Sequence, residues 1–405
     1  MNAILRRPSI AVASCVVLVL GVFAWRGDLG LGGKPGSARA SRSAARDEGP
    51  VVVRRHADTR LPRAERRGRV FDSMGFLLVG AEVVPADGNS QKTDADGAFS
   101  IDLVEQRTSD LLVRADGRRA EWLRTSAVGP DPLIVRLEPS APWDATPQAP
   151  LAAPRLRGEG QVVGPDGEPL QNAFVNVLGT HCWGRTDDIG RFELPLPSRT
   201  ATFVVHAPSA EDNAGGLAVR TEPFVAPRAR GIVPLPRMVA EPAGSIRGTV
   251  RDPRGAPVAG LPVEVRGADG VRRVATGPGG VFVLGGLLPA EYEVEPFAYR
   301  GAVGAACKVR VDRKVVPCDV QLQGVEEARL RVIDDRGMVA AGVWVASSIN
   351  GVRRGVGQAD VGGRVSLPVA PATEFEVRTA DSYTACTVQR FDASAEPATL
   401  VISQP

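Results

Sequence analysis

Histidine, lysine and aromatic residues are scarce in this chain of 405 residues. Only three histidines are present, and all but four of the 49 basic residues are arginine. Aromatic residues make up 5% of the chain, so a broad aromatic platform for sugars or nucleobases is not expected. A zinc site needs several histidine, cysteine or acidic side chains that converge, and the three histidines and five cysteines form no such pattern. The sequence therefore predicts no catalytic site, no cofactor and no metal site.

The positive charge of the chain is concentrated near its N-terminus. Residues 26–67 hold ten Arg and one Lys against five acidic residues, whereas residues 68–405 hold 36 basic and 41 acidic residues. The formal net charge of +3 therefore describes a basic stalk that precedes a mildly acidic body. Because the body itself is not basic, nucleic-acid binding is not expected.

The first 26 residues have the layout of an export signal. Two arginines precede an uncharged apolar run at residues 10–25, which is typical of a secretory signal peptide. The run is slightly shorter than the roughly 20 residues that cross a bilayer comfortably, although flanking residues can extend a span. We expect residues 1–26 to be a signal peptide or a signal anchor. The body is then outside the cytoplasm, either tethered to the inner membrane through residues 8–25 or secreted after cleavage.

Two glycine landmarks recur four times, in the same order, beyond the stalk. The first is a turn glycine before a short alternating strand, and the second follows after 22 to 26 residues. The paired glycines are Gly75 and Gly97, Gly167 and Gly190, Gly255 and Gly280, and Gly337 and Gly363. Glycine supplies the positive φ of a tight turn, and alternating apolar and polar residues predict strands. About seven short strands per repeat, with no helical period, predict a small two-sheet β-sandwich for each repeat.

Four sequence segments carry a family resemblance. The second repeat contains GEGQVVGPDGEPLQNAFVNV and TDDIGRFEL, and the third contains GSIRGTVRDPRGAPVAGLPVEV and GPGGVFVLGGLLPAEYEVEP. These segments resemble the carboxypeptidase regulatory-like domain, a transthyretin-like (prealbumin-like) sandwich found in tandem in bacterial surface and envelope proteins. The fourth repeat departs from the pattern, because Val365 replaces the aromatic residue. The resemblance implies an all-β fold, with four tandem prealbumin-like sandwiches after an N-terminal hydrophobic helix, and it implies no particular ligand.

The repeats and the composition divide the chain into segments. We predict a signal peptide or anchor at 1–26, a disordered basic stalk at 27–67, a Pro-rich linker at 139–157, and β-sandwiches at 68–138, 158–240, 241–323 and 324–405. The stalk is rich in Gly, Ser and Arg and cannot bury a core.

Two cysteines flank a predicted hairpin in the third repeat. Cys307 and Cys318 bracket two β-branched runs about a turn at Asp312-Arg313, which places the two sulfur atoms opposite each other. In an oxidising compartment we expect a disulfide between them. The alternative is a pair of buried thiols in neighbouring strands.

Trp122 and Trp183 are the candidate ligand-binding aromatics. Trp344 lies on an alternating strand and is expected in a core, and Trp143 lies in the Pro-rich linker. The acidic cluster at residues 94–96 fits a hairpin turn better than a calcium loop, which needs about six oxygen ligands.

The sequence thus predicts a non-catalytic envelope or cell-surface protein that acts as a structural, adhesive or protein-binding scaffold. Its expected partner is an envelope or extracellular protein or a polysaccharide. The alternative is a carbohydrate-binding accessory protein. A third hypothesis, an enzyme with an unrecognised site, requires a cleft in which polar residues from different repeats converge.

Overall fold

The computed structural model describes residues 62–86, 88–105, 107–130, 132–152, 156–207, 215–227, 231–370, 373–381, 384–392, 395 and 397–403. The expected export signal and most of the expected stalk lie outside these residues. Within them, no helix has the length and apolar character needed to cross a membrane. The segment Thr59–Pro405 forms one compact unit.

The first two sandwiches are built from the strands up to Pro242. The first contains β1 (Arg63–Asp72), β2 (Glu82–Pro85), β3 (Gln91–Lys92), β4 (Ala98–Val104), β5 (Thr108–Arg114), β6 (Glu121–Ser126) and β7 (Leu133–Leu137). The second contains β8 (Leu156–Val163), β9 (Phe174–Val177), β10 (Trp183–Arg185), β11 (Arg191–Leu196), β12 (Thr200–Ala201), β13 (Phe203–Ala207), β14 (Leu217–Arg220), β15 (Phe224–Val225), β16 (Gly231–Pro234), β17 (Met238–Val239) and β18 (Glu241–Pro242).

The last two sandwiches follow without a long connection. The third contains β19 (Gly244–Arg251), β20 (Pro262–Gly267), β21 (Gly270–Ala275), β22 (Val281–Leu287), β23 (Ala290–Pro296), β24 (Ala302–Gly304), β25 (Cys307–Val311), β26 (Val315–Pro317) and β27 (Val320–Gly324), with a short 3-10 turn at Pro278–Gly280. The fourth contains β28 (Glu326–Asp334), β29 (Trp344–Ile349), β30 (Val352–Gln358), β31 (Arg364–Val369), β32 (Thr373–Arg378), β33 (Ala385–Asp392) and β34 (Ala398–Ser403).

The first strand has the same pairing pattern in all four sandwiches. The first strand of each pairs antiparallel with one neighbour and parallel with a strand near the end of the repeat, as β1 does with β4 and β7. The second sheets have the orders β3-β2-β5-β6, β10-β9-β13-β14-β18 and β21-β20-β23-β25 in the first three sandwiches. In the fourth, β33 pairs with both β32 and β34, so the two layers form one seven-stranded sheet. The predicted all-β fold with four tandem sandwiches is confirmed.

Each sandwich has its own apolar core. The aromatic residue after the second landmark glycine is buried in the first three sandwiches, as Phe99, Phe192 and Phe282. Val365 occupies the equivalent buried position in the fourth. Val is smaller than Phe, and the fourth core also draws on the partly buried Phe375 and Phe391, whose ring centroids are 4.9 Å apart.

The landmark glycines adopt the backbone conformation that the sequence predicted. Gly75, Gly167, Gly255 and Gly337 have φ values between 81° and 84°, where a side chain is strained. In three of these turns an aspartate begins the turn, and its Oδ1 accepts two backbone N–H groups; the three are Asp72, Asp252 and Asp334. The Asp–Gly spacing therefore fixes the connection between the first strand and the next.

The first strand begins earlier than the sequence suggested. β1 starts at Arg63, inside the segment assigned to the stalk, and pairs with β4 from Arg63 to Arg69. Its N-terminal half consists of charged residues interrupted only by Ala64 and Gly68. It therefore has none of the large apolar residues that indicate a strand in a sequence.

Candidate binding clefts where the sandwiches meet

The first and second sandwiches are joined by backbone hydrogen bonds. The last residues of β6 run beside the segment around His181, whose N–H donates to the carbonyl of Arg124 at 3.1 Å. Ser126 completes the contact, because its N–H donates to the His181 carbonyl and its Oγ accepts the N–H of Trp183 at 3.0 Å. Both Ser126 and Trp183 are buried by this contact. The junction therefore continues the hydrogen bonding of one sandwich into the next.

A buried charge cluster joins the first, third and fourth sandwiches. Glu264 and Glu295 lie on neighbouring strands of the third sandwich and are 3% and 2% exposed. Arg266 bridges both carboxylates, at 2.5 Å to Glu264 and 3.0 Å to Glu295. Arginines of the other two sandwiches approach Glu295, Arg136 at 3.9 Å and Arg354 at 3.8 Å. One third-sandwich carboxylate thus faces guanidinium groups from three sandwiches.

The two buried carboxylates have different electrostatic surroundings. Burial works to raise the pKa of Glu264, but Arg273, Arg266 and Arg136 outweigh it and hold the pKa below its ordinary value. Burial raises the pKa of Glu295 above its ordinary value, because its arginine neighbours offset only part of the lost hydration. Glu264 is therefore the more firmly ionised of the two.

The Pro-rich linker packs on the fourth sandwich. Asp144 forms an ion pair with Arg353 at 2.7 Å, and both side chains are largely buried. The ring of Trp143 lies beneath two guanidinium groups, Arg353 at 5.8 Å and Arg378 at 5.1 Å from its centroid. These contacts attach the linker to the fourth sandwich.

A cleft of about 1050 Å³ lies between the first three sandwiches. Its lining includes residues of β3 and β4 from the first sandwich, β10 from the second, and β21 and β22 from the third. Each of these strands is the last strand of its sheet. The outermost strands of three sandwiches therefore border one cavity, which we call the edge-strand cleft.

His206 lies in the part of the edge-strand cleft that the second sandwich lines. Its Nδ1 lies 2.9 Å from the carbonyl oxygen of Gly286 and 3.1 Å from Nη1 of Arg272. Arg272 donates to the same oxygen at 3.1 Å. Burial and, to a smaller extent, Arg272 lower the pKa of His206 well below its ordinary value. The imidazole is therefore neutral at physiological pH.

The lining of the edge-strand cleft is mainly apolar with a strong excess of positive charge. Its basic side chains are Arg66, Arg67, Arg69, Lys92, Arg272 and Arg273, and the acidic side chain among the described lining residues is Asp94. Arg69 and Lys92 are exposed, whereas Arg273 is held by Glu264 at 2.7 Å. The cleft brings polar residues of three sandwiches together, which is the arrangement that the enzyme hypothesis required.

A smaller and more polar cleft, of about 420 Å³, contains Trp122. The indole N–H of Trp122 donates to the Pro147 carbonyl at 3.4 Å, so the Pro-rich linker forms one wall. Arg119 and Glu138 form an ion pair at 3.2 Å on another wall. His181 lines both clefts, and burial, with Arg273 and Arg66, lowers its pKa to about 4. We call this cavity the tryptophan cleft.

The structure places the two candidate tryptophans in different clefts. Trp122 is half-buried in the tryptophan cleft, whereas Trp183 lines the edge-strand cleft and is 9% exposed. Trp183 packs edge-on against Phe174, with 5.8 Å between ring centroids, and its ring lies 6.3 Å from His206. Their role in ligand binding stays a prediction.

The two cysteines of the third repeat meet across the sandwich rather than within a hairpin. Cys307 lies on β25, which pairs with β23, whereas the strand before Cys318 is β26, which pairs with β19 in the other sheet. Both are free thiols that contact each other, and burial, the contact with Cys307 and nearby charge raise the pKa of Cys318. The intervening residues therefore cross between sheets, and the disulfide stays a prediction.

Sequence reasoning missed the residues of β21. The segment VRRVA alternates weakly, and its two arginines are indistinguishable from solvated surface charges in a sequence. The hairpin turn at residues 268–269 was the available signal, because it marks β21 as a strand that follows a tight turn. Nothing in the sequence indicates that this strand is the last of its sheet.

Comparisons with known proteins give distant similarity in overall structure. The Streptococcal ancillary pilin is 12% identical, with coverage of 62% of this chain and 98% of that chain and a TM-score of 0.22. The Bacillus anthracis TIE protein is 13% identical, with a TM-score of 0.20; the match covers 79% of this chain but only 63% of that protein, less than two thirds of its length. BcpA, the major pilin subunit of Bacillus cereus, is 11% identical over 65% of this chain and 99% of that chain, with a TM-score of 0.17.

Sequence comparison identifies a family for one of the four sandwiches. No curated protein matches the chain. The family model of the carboxypeptidase regulatory-like domain matches residues 245–323, which span the third sandwich from β19 to the end of β27. The resemblance that the sequence segments suggested is thereby confirmed for this sandwich.

Proposed function

We propose that the chain is a non-catalytic protein of the cell envelope or cell surface, and that its body is a rigid scaffold that binds another protein. The inference that the chain is exported rests on residues 1–25, in which two arginines precede an uncharged apolar run. The proposal rests on one structural observation above all, the buried charge cluster that joins three sandwiches around Glu264 and Glu295.

Buried ion pairs support a scaffold role because they favour one arrangement of the parts. A guanidinium that leaves the cluster removes part of the charge compensation of a buried carboxylate, which is costly in a medium of low dielectric. We infer that these contacts hold the sandwiches in one arrangement before a partner binds. A fixed body presents its loops and edge strands in a constant geometry, which reduces the entropy lost on binding.

Cell fractionation followed by mass spectrometry of the mature N-terminus tests the location. The expected result is recovery of the chain in the envelope or the culture medium, with or without residues 1–26. A variant with Arg6→Glu and Arg7→Glu is the matched control, because it keeps the apolar run and removes the positive charge before it. Recovery of the unaltered chain in the cytosol would contradict export.

Site-specific photo-cross-linking in intact cells tests the binding role. The chain has only four lysines, so amine-reactive cross-linkers report poorly on its surface. A photoreactive residue at the exposed Val361 of the fourth sandwich, and another at Val271 in the edge-strand cleft, sample two separate surfaces. We expect at least one position to give a discrete adduct with an envelope protein. Absence of adducts at both positions, in cells where the chain is exported, contradicts the proposal.

A second candidate function is carbohydrate binding in the tryptophan cleft. The half-buried indole of Trp122 lies beside the polar side chains of Arg119, Glu138 and Gln148, a combination that suits the apolar and hydroxyl faces of a sugar. Affinity electrophoresis through gels that contain xylan, hydroxyethyl cellulose or peptidoglycan fragments tests it. Retardation that Trp122→Ala abolishes supports this function, provided that Phe76→Ala, at an exposed aromatic outside both clefts, leaves retardation unchanged.

A further inference from the structure

We propose that the edge-strand cleft binds an extended acidic segment of a partner protein, which adds as a strand to the free edge of β21. The inference rests on the proposed scaffold function and names the binding site and the chemistry of the partner segment. It commits to a peptide because the cavity borders on backbone edges rather than on side chains alone.

The free edge of β21 has backbone groups available for a new strand. In an antiparallel ladder, successive residues point their N–H and C=O groups alternately toward and away from the partner strand. The N–H of Thr276, just beyond β21, donates to the Leu261 carbonyl at 2.9 Å, so this residue faces β20. By alternation, Val271, Arg273 and Ala275 direct their backbone groups away from β20. These three residues line the edge-strand cleft.

The cleft has the dimensions and the walls of a strand-binding site. Its volume of about 1050 Å³ exceeds that of most small-molecule pockets, which hold roughly 300 to 1,000 Å³. Val271 is 50% exposed at this edge, and the carbonyl of Ile134 on the opposite wall is held by Arg273 at 2.8 Å. An exposed edge with an apolar side chain invites pairing with another chain unless a partner covers it.

Charge complementarity selects an acidic segment. Six basic side chains line the cleft, and two of them form ion pairs with glutamates, Arg67 with Glu65 at 3.0 Å and Arg273 with Glu264 at 2.7 Å. The charge complementarity therefore depends on Arg69 and Lys92, which are exposed at the first sandwich's side of the cleft. A strand with alternating acidic and apolar residues places its carboxylates on one face, toward these cations, and its apolar side chains on the other, toward the apolar lining. A basic segment is repelled by the same groups.

The test uses a fluorescein-labelled ten-residue peptide of alternating Glu and Val as the probe, titrated with the full chain and followed by fluorescence anisotropy. Two control peptides separate charge from backbone recognition. One replaces every Glu with Lys, and the other keeps the side chains but is N-methylated at every residue, which removes the donors that a strand needs. We expect saturable binding of the Glu peptide, binding of the Lys peptide weaker by at least roughly tenfold, and no binding of the N-methylated peptide.

Proline substitution on the protein provides the matched variants. Ala275→Pro removes an N–H that points into the cleft and leaves the β20 ladder intact, because proline is tolerated on edge strands with the N–H outward. Arg310→Pro is the control at the opposite edge of the same sheet, on β25, where the same alternation directs the Arg310 N–H outward. We expect Ala275→Pro to weaken binding roughly tenfold and Arg310→Pro to leave it unchanged.

The outcomes separate this inference from the scaffold function. Equal affinity of wild type and a folded Ala275→Pro variant, or equal binding of the N-methylated peptide, overturns strand addition. If Ala275→Pro does not fold, as judged by circular dichroism, the N-methylated peptide decides the question. Cross-links at Val361 together with failure of the Glu peptide to bind would overturn the edge-strand inference and leave the scaffold function standing.

Discussion

Phe71 of the first sandwich packs edge-on against Phe297 of the third, with ring centroids 6.0 Å apart and ring planes at 85°. Phe71 follows the core residue Val70 on β1 and so points away from the core of its own sandwich. It is 8% exposed and belongs to the apolar cluster of the third sandwich. One side chain of the first repeat therefore completes the core of the third.

Replacement of Phe71 by alanine is expected to weaken the junction between these two sandwiches. Loss of a buried phenylalanine costs about 3 kcal/mol or more, because the cavity left behind closes only in part. Chemical denaturation should show a lower midpoint, and the first sandwich should unfold in a separate, earlier transition. Phe76→Ala is the matched control, because Phe76 is 51% exposed and its loss should leave the midpoint unchanged. A single transition with an unaltered midpoint in Phe71→Ala would contradict the coupling.

Neutralisation of Glu264 is expected to destabilise the body far more than neutralisation of a surface glutamate. Glu264 is 3% exposed and accepts from Arg273 at 2.7 Å, so Glu264→Gln leaves the half-buried guanidinium of Arg273 without its counter-ion and Arg266 with Glu295 alone. Removal of one partner from a buried pair costs about 3 kcal/mol. Glu241→Gln is the control, because the Glu241–Arg313 pair is equally close at 3.0 Å but lies in solvent. Equal unfolding free energies for the two variants would show that the cluster does not stabilise the body.

The fold of each sandwich could be predicted from the sequence, because local features determine it. A turn that needs a positive φ, such as the 81° of Gly75, selects glycine whatever the other sandwiches contain, so the turn can be recognised in the sequence. The same holds for the alternating strand that buries Phe99. Separate cores therefore follow from patterns within about 80 residues of chain.

The clefts could not be predicted, because they depend on how the sandwiches face one another. Arg136 and Arg354 read as surface charges in the sequence, and only the approach of the third sandwich buries them around Glu295. The sequence predicts an accessible Trp183, yet it is 9% exposed and packs against Phe174 and His206. Periodicity reports which face of a strand is apolar, and it carries no information on contacts between repeats.

A buried threonine, repeated in three sandwiches, is expected to contribute to the stability of each. Thr276 Oγ1 donates to the Val258 carbonyl at 2.6 Å and accepts the Leu261 N–H at 2.9 Å. Thr93 and Thr186 make the equivalent pair of bonds, whereas the fourth sandwich has Ala359 at this position.

Thr276→Val keeps the shape of the side chain and leaves one buried donor and one buried acceptor without a partner, which costs about 1 to 3 kcal/mol. Thermal unfolding of the full chain measures the effect, and Thr200→Val, at an exposed threonine, is the control. Equal melting temperatures for the two variants would contradict a structural role for the hydroxyl.

The Cys307–Cys318 disulfide is expected to form in the exported protein. The two thiols already contact each other across the sheets of the third sandwich, so oxidation requires little movement. Intact mass measurement of protein recovered from outside the cytoplasm, before and after reduction and alkylation, measures the number of free thiols. We expect Cys182 and Cys386 to be alkylated after unfolding without reduction, and the other pair only after reduction. Alkylation of all four described cysteines without reduction would leave the alternative, two buried thiols.

Acid is expected to destabilise the body through His206, beginning below about pH 6.5. The histidine is 2% exposed, and its pKa in the folded chain lies well below the ordinary value. Below about pH 6.5 the unfolded chain therefore binds a proton that the folded chain does not. The free energy of unfolding is unaffected by His206 above this pH. As the pH falls, it decreases by at most about 1.4 kcal/mol per pH unit. Unfolding free energies from denaturant titrations at about pH 7 and about pH 5 measure this slope. His206→Asn should reduce this slope, because His181, whose pKa is also lowered, and the carboxylates titrate equally in both proteins. An identical slope in the variant would show that His206 does not take up the proton on unfolding.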